Sequence, residues 1–237
     1  MKMRLRVLKL LTMFFLVIFL AAFSIIRNGE RTIDFDSINY LDSKFKFISV
    51  ESVDKLLKQS DSISLKLMKR NLNLGSLERI INKNAFIYSA EVSLSLDSEI
   101  GIKIIEKEPV FRVLKDKYYI DSSGDKMPLS KNYSERIPLI LKDIDSTKLI
   151  SLGMLGDYFK NDNFLNDHII GLEIINNEFI FHVNNFSYIV KMKDLNQYKN
   201  RFKNYKAFYK SALNDSILDK ASSINLNFRN QVIVQKK

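Results

Sequence analysis

IIEKEPVFRVLKDKYYIDSSGDKMP, Ile104 to Pro128, holds two of the three prolines in the chain and one of its seven glycines. It begins inside a period-two pattern. Ala90, Val92, Leu94 and Leu96 alternate with polar residues, and after Asp97-Ser98 the residues Ile100, Ile102 and Ile104 do the same. That pattern predicts an antiparallel hairpin with one buried and one wet face. Proline lacks an amide hydrogen and fixes its own φ, so Pro109 stops this ladder and redirects the chain, making Glu106, Glu108 and Pro109 a domain junction. Beyond it, FRVLKD and KYYID meet at Asp116-Lys117, and Asp121 with Gly124 sets a turn over residues 122 to 125. Glycine suits the positive φ such a turn needs.

Working outward, residues 28 to 43 read as a linker, and Phe45, Phe47 and Ile48 as a first short strand. Ser49 is a helix cap before Val50, Val53, Leu56 and Leu57, which predicts a helix over 50–58. A second helix follows Gly75-Ser76 and stops at Asn84. The order from Phe45 to Ile105 is strand, helix, helix, strand, strand. Downstream come a strand at IPLIL, a helix from Ser146 to Phe159, and strands near GLEII, EFIFHV and FSYIVK. Over 194–213, Leu195, Tyr198, Phe202, Tyr205 and Tyr209 step by three and four, which predicts a helix with a mostly aromatic stripe. Lys199, Arg201, Lys203, Lys206 and Lys210 fill much of its remainder. A core face with a solvated basic back is preferred over a surface for an anionic partner or lipid. Near the end, Ile224, Leu226, Phe228, Val232 and Val234 share one parity, as one long strand or as two short ones turning at 229–231. Either arrangement makes a sheet edge a reasonable expectation at this end.

Composition narrows the function classes. The 237 residues and 46% hydrophobic content suffice for one or two domains with real cores. There is no cysteine, hence no disulfide, thiolate metal site or cysteine nucleophile. His168 and His182 have no metal-binding spacing and read as structural; no cofactor is expected. The net charge is +10, but Lys2, Arg4, Arg6, Lys9 and Arg27 precede any acid; the other 32 basic and 27 acidic residues leave only +5. Half of the excess therefore flanks LLTMFFLVIFLAAFSII, Leu10 to Ile26, which is better explained by a membrane than by nucleic acid. At about 1.5 Å per residue this run covers roughly 26 Å, and Leu5 to Lys9 completes a single transmembrane helix, Arg6 and Lys9 snorkelling. The positive-inside rule keeps residues 1–9 in the cytoplasm and exports the rest. A cleaved signal peptide is the competitor, since Ala22-Phe23-Ser24 offers a small-x-small site.

The ordered set of features resembles the FtsQ/DivIB family of bacterial cell-division proteins. Its carriers are Glu106-Lys107-Glu108-Pro109-Val110, the near match Tyr119-Ile120-Asp121-Ser122-Ser123-Gly124 to a hydrophobic-x-Asp-x-x-Gly strand, and Ile137-Pro138-Leu139-Ile140, all behind a basic-flanked apolar helix. The chain departs from the family pattern at Phe47-Ile48-Ser49 and at Asn225, Asn227 and Gln231. The resemblance implies an α+β protein: a cytoplasmic tail over 1–9, a transmembrane helix over 10–26, a small POTRA-like α/β domain over 40–108, and a larger mixed beta domain over 109–237 with a long helix in its C-terminal half.

What the resemblance implies about function is a non-enzymatic scaffold in the bacterial cytoplasmic membrane at the division septum. It would bind FtsB/FtsL-like single-pass partners outside that membrane and help control septal peptidoglycan synthesis. No small-molecule substrate is expected. The edge would take a partner strand by beta-augmentation. Phe228 is then the apolar anchor, Arg229 a charge contact with Asn230 beside it, and the backbone of Val232, Ile233 and Val234 the ladder. These residues closing the domain's own sheet is the plainer alternative. An anchored exported enzyme or glycan-binding protein is a second class. It gains little from the chain: no nucleophile elbow or Walker loop is present, and Glu106 with Glu108 is a carboxylate pair outside any defined cleft. An outer-membrane assembly factor would need barrel strands where two helices are predicted.

Overall fold

The structure is a computed structural model that describes residues 2–34, 38–42, 44–59, 66–228 and 231–237. The protein is α+β and divides into two units, Met1–Glu106 and Lys107–Lys237.

The apolar run lies within a helix, α1 (Lys2–Gly29). Its stretch Leu8–Gly29, 22 residues, is long and apolar enough to cross a membrane and is unburied by protein. After it the first unit places β1 (Thr32–Asp34), β2 (Asn39–Tyr40), α2 (Val50–Lys58), β3 (Lys66–Met68), α3 (Leu74–Asn82), β4 (Ile87–Leu94) and β5 (Ile100–Glu106). Both short helices are started by side chains that take up an orphan amide: Ser49 Oγ accepts from Ser52 N, and Asn73 Oδ1 from Ser76 N. Val53 and Leu57 on α2 and Leu77 and Ile81 on α3 are buried against Val92, Ile100, Ile102 and Ile104. β4 and β5 form the expected antiparallel hairpin, with Val92 opposite Ile102.

Two expectations are corrected in this unit. Among the described residues of 28 to 43 the chain is not simply a linker: β1 pairs antiparallel with β3, burying Ile33, and β2 pairs parallel with β5. Phe45, Phe47 and Ile48 are not a strand. The amides of Lys46, Phe47 and Ile48 donate instead to the Glu106 carboxylate, at 2.9, 3.0 and 2.9 Å. A carboxylate accepting three amides satisfies the donors that a ladder would otherwise hold.

The second unit contains β6 (Pro109–Val113), β7 (Tyr118–Asp121), β8 (Lys126–Pro128), β9 (Leu139–Ile140), α4 (Leu149–Lys160), α5 (Asn163–His168), β10 (Ile169–Ile175), β11 (Glu178–Val183), β12 (Ile189–Met192), α6 (Tyr198–Ala212), α7 (Ile217–Lys220), β13 (Ala221–Asn225) and β14 (Ile233–Lys236). One mixed sheet runs β14-β13-β12-β11-β10-β9-β6-β7-β8. The contacts of β9 with β6 and β10, and of β12 with β13, are parallel; the other neighbours are antiparallel.

Helices α4 and α6 supply Leu152, Leu155, Phe159, Phe202 and Tyr205 to the core cluster that holds Phe111, Leu172, Phe181, Val190 and Ile224 of the sheet. The aromatic stripe of α6 thus belongs to the core. Phe159 and Phe202 meet edge to face at 5.0 Å, a geometry worth about 0.5–1.5 kcal/mol beyond burial. The helix begins at Tyr198 rather than at 194, because Gln197 takes a left-handed φ of 53° and Asp194 Oδ1 accepts from Asn196 N. α4 approaches β6 closely enough that a Cβ on Gly156 would lie 2.5 Å from Val110 Cγ2. Small residues are required at that contact.

Candidate functional site

The turn after β7 is held from within. Asp121, 2% exposed, accepts from the amides of Ser123 and Asp125, and Gly124 takes the positive φ of 88° that the turn needs. Lys107 reaches both Asp121, at 3.2 Å, and Asp125, at 2.9 Å. Desolvation works against its charge, yet hydrogen bonds to Asp125 and Asp121 outweigh it and hold its ammonium above the usual lysine range. Pro109 opens β6 opposite Asp121. The two junction carboxylates serve different partners. Glu106 collects three amides, and Glu108 is ion-paired with Lys160 at 2.6 Å.

At the C-terminal end the chain forms two short strands. β13 runs parallel to β12, and β14 folds back antiparallel onto β13, placing Val234 opposite Ile224 and Ile233 opposite Asn225. β14 is the last strand of the sheet, so one side of its backbone is unpaired within the described chain. Val232 and Val234 are half-buried against the core; Ile233 is 43% exposed. The ladder differs from the expected one at its ends. Val232 precedes the strand, and Gln235 and Lys236 belong to it. Arg229 and Asn230 lie outside the described residues.

Phe228 is 48% exposed and borders a cleft of about 460 Å³ with Gln197, Asn200, Arg201, Lys203 and Asn227. Asn227 ties this corner together by accepting from Lys193 N at 2.6 Å, and its buried Nδ2 has no partner among the described residues. Of the basic residues on α6, Arg201 pairs with Asp194, Lys206 with Asp162, and Lys199 lies over the Tyr158 ring. Lys203 stands at the cleft. Nothing in the sequence spacing ties 197–204 to 227–228, and the shared parity ends at Val234, so neither the cleft nor the reach of the strand to Lys236 is carried by the pattern.

Beneath α6 lies a buried polar knot: His168 Nε2 to Tyr205 Oη at 2.7 Å, and Tyr205 Oη to Tyr188 Oη at 2.9 Å. Burial pushes the His168 imidazole down to about 4 and the Tyr188 hydroxyl up to about 12. His182 pairs with Glu173, which also binds Lys142. Both histidines are therefore engaged by protein side chains.

The described chain is thus an α+β protein with one helix long and apolar enough to cross a membrane and, in its second unit, an open strand at the sheet edge. The family model described as FtsQ/DivIB, C-terminal related matches residues 108–235, more than half of the chain. The chain belongs to the FtsQ/DivIB family and so has a role in cell division. No curated protein matches it.

Proposed function

We propose that the protein is a non-enzymatic division scaffold. Its α1 helix spans the bacterial cytoplasmic membrane with residues 1–9 in the cytoplasm, and a POTRA-like domain over 40–108 and a beta domain over 109–237 lie outside. The site is the β14 edge, which binds FtsB/FtsL-like single-pass partners at the septum and so contributes to control of peptidoglycan synthesis. The observation that carries the reading is the exposed position of β14 at the end of the sheet, inside the stretch that the family model matches.

The mechanism is strand addition. An incoming strand pairs with the outward N–H and C=O groups of Ile233–Lys236, which supplies affinity without regard to side chains. Specificity comes from the alternate side chains and from the corner next to the strand. There Phe228 offers an apolar anchor, and Arg201 and Lys203 give the cleft a positive lining suited to an acidic partner segment. Arg229 and Asn230, which lie outside the described residues, are proposed contributors to the same contact.

Co-purification from the native bacterium tests this. Full-length protein in mild detergent should bring down small single-pass coiled-coil proteins; a chain ended after Asn230 should not. Undiminished recovery with the shortened chain would remove β14 as the site.

A further inference from the structure

The base of α1 is built into a cleft of about 560 Å³ against the tip of the β4–β5 hairpin, both within the first unit. Leu20, Phe23, Ile25 and Leu96 supply its apolar lining, and Arg27 and Arg31 its charge. Leu96 is 86% exposed, the highest value of any large hydrophobic residue described. A leucine at a hairpin tip normally has no reason to be held there, yet this one is held. Arg31 Nη1 donates to the Leu96 carbonyl at 3.2 Å, which ties the tip to the end of the helix. Arg27 lies 6.0 Å from the Phe23 ring centroid. Lys69, whose amide donates to the Arg31 carbonyl at 2.8 Å and whose Nζ is 3.5 Å from Asn28 Oδ1, adds a third cation, and Arg70, packed close to Gly29, a fourth. Glu30, Asp34, Asp97 and Glu99 lie nearby in sequence, but the charged residues that line the cleft itself are Arg27 and Arg31.

The geometry points to a phospholipid site: the phosphate of an outer-leaflet lipid sits between Arg27 and Arg31, its acyl chain follows Phe23 and Ile25, and Leu96 enters the same interfacial layer. This rests on the reading of α1 as a membrane span. The occupant follows from continuity, because the apolar lining of the cleft is the last turns of that helix, which would emerge from the hydrocarbon at the level of Leu96. Guanidinium groups with apolar stems suit this depth, the stem in the acyl region and the head at the phosphate. An exposed leucine beside a cationic collar is the composition of an interfacial anchor. Contact at two points, helix and hairpin, would fix the tilt of the first unit against the bilayer, where a helix alone leaves it free to pivot.

The chain contains no tryptophan, so single substitutions give clean depth reporters. Full-length protein carrying Leu96→Trp, Phe19→Trp or Tyr88→Trp is reconstituted into phosphatidylglycerol–phosphatidylcholine vesicles with brominated acyl chains. Phe19→Trp should be quenched because it lies within the span, and Tyr88→Trp, on an exposed stretch of β4, should not. The proposal expects Leu96→Trp to be quenched and blue-shifted, with both effects reduced when Arg27→Gln and Arg31→Gln are added. Leu96→Trp fluorescence as unquenched as that of Tyr88→Trp, with Phe19→Trp quenched, would overturn the lipid site while leaving the membrane span intact. Unquenched Phe19→Trp would overturn the span and the lipid site together.

Discussion

β8 and β14 end the same nine-stranded sheet on opposite sides, and their chemistry differs. β8 is three residues long; Pro128 gives it a position without an amide donor, Lys126 lies over the Tyr118 ring, and Met127 is fully buried. Proline and lysine on a very short strand are the devices by which proteins keep an edge from pairing with another chain. β14 has no proline and exposes Ile233, and Phe228, five residues before it in the chain, is half exposed at a cleft of its own. Its one guard is Lys236 at the far end, where Lys237 is fastened down by Nζ contacts to Ser187 and the Asp219 carbonyl. The contrast between the guarded edge and the open edge supports the proposal that β14 is the side a partner strand would join.

The largest effect is expected at the guarded end. A Cβ on Gly153 would lie 2.5 Å from Gly124 N and 2.8 Å from the Asp121 carbonyl, both backbone atoms with little room to yield. Gly153→Ala should therefore cost about 3 kcal/mol, at the upper end for overpacking, and urea unfolding of the beta domain would register it. Partner binding measured well below the transition should survive, since β14 lies at the other end of the sheet.

Acid should act on the opposite half. His168 has a folded pKa of about 4 against 6.5 in the unfolded chain, so the unfolded state binds the extra proton. The stability held by the neutral imidazole is complete above pH 6.5 and is lost as pH falls toward 4, up to about 3 kcal/mol at the limit. Because His168 bonds Tyr205 and through it Tyr188, amide exchange should speed up in α6 and β12 before β7 and β8. His168→Gln should flatten the dependence.

Three smaller effects bear on the assignment of β14. Phe228→Ala should weaken partner binding by about 2 kcal/mol, as for an aromatic anchor at an interface, measured by titration of the co-purified partner. Ile233→Lys gives β14 a guard of the kind β8 already has; it should cost at least about 1.4 kcal/mol, tenfold in affinity, with an unchanged melting profile. Lys203→Gln should slow association and flatten its salt dependence while barely altering dissociation.

Period and punctuation made much of the architecture legible. A run of 17 residues broken only by Thr12 and Ser24 behind four cations can hardly be anything but a membrane-length helix or signal, and the alternation from Ala90 to Ile104 fits a hairpin. The Asp121–Gly124 turn was readable because its chemistry is local. Phe45 to Ile48 failed for the converse reason: aromatic alternation imitates a strand, but the acceptor for those amides is Glu106, nearly sixty residues away. β1 and β2, three and two residues long, are too short to show any period. The edge was legible as a position in the chain, but its cleft was not, since α6 meets Phe228 only through the fold.

Whether β14 is the edge that binds can be read from amide hydrogen exchange on the full-length protein in detergent, with and without its co-purified coiled-coil partner. New protection is expected at Ile233–Lys236 and around Phe228, with Lys126–Pro128 unchanged. Protection appearing at Lys126–Pro128 while Ile233–Lys236 exchanges as before would contradict the assignment.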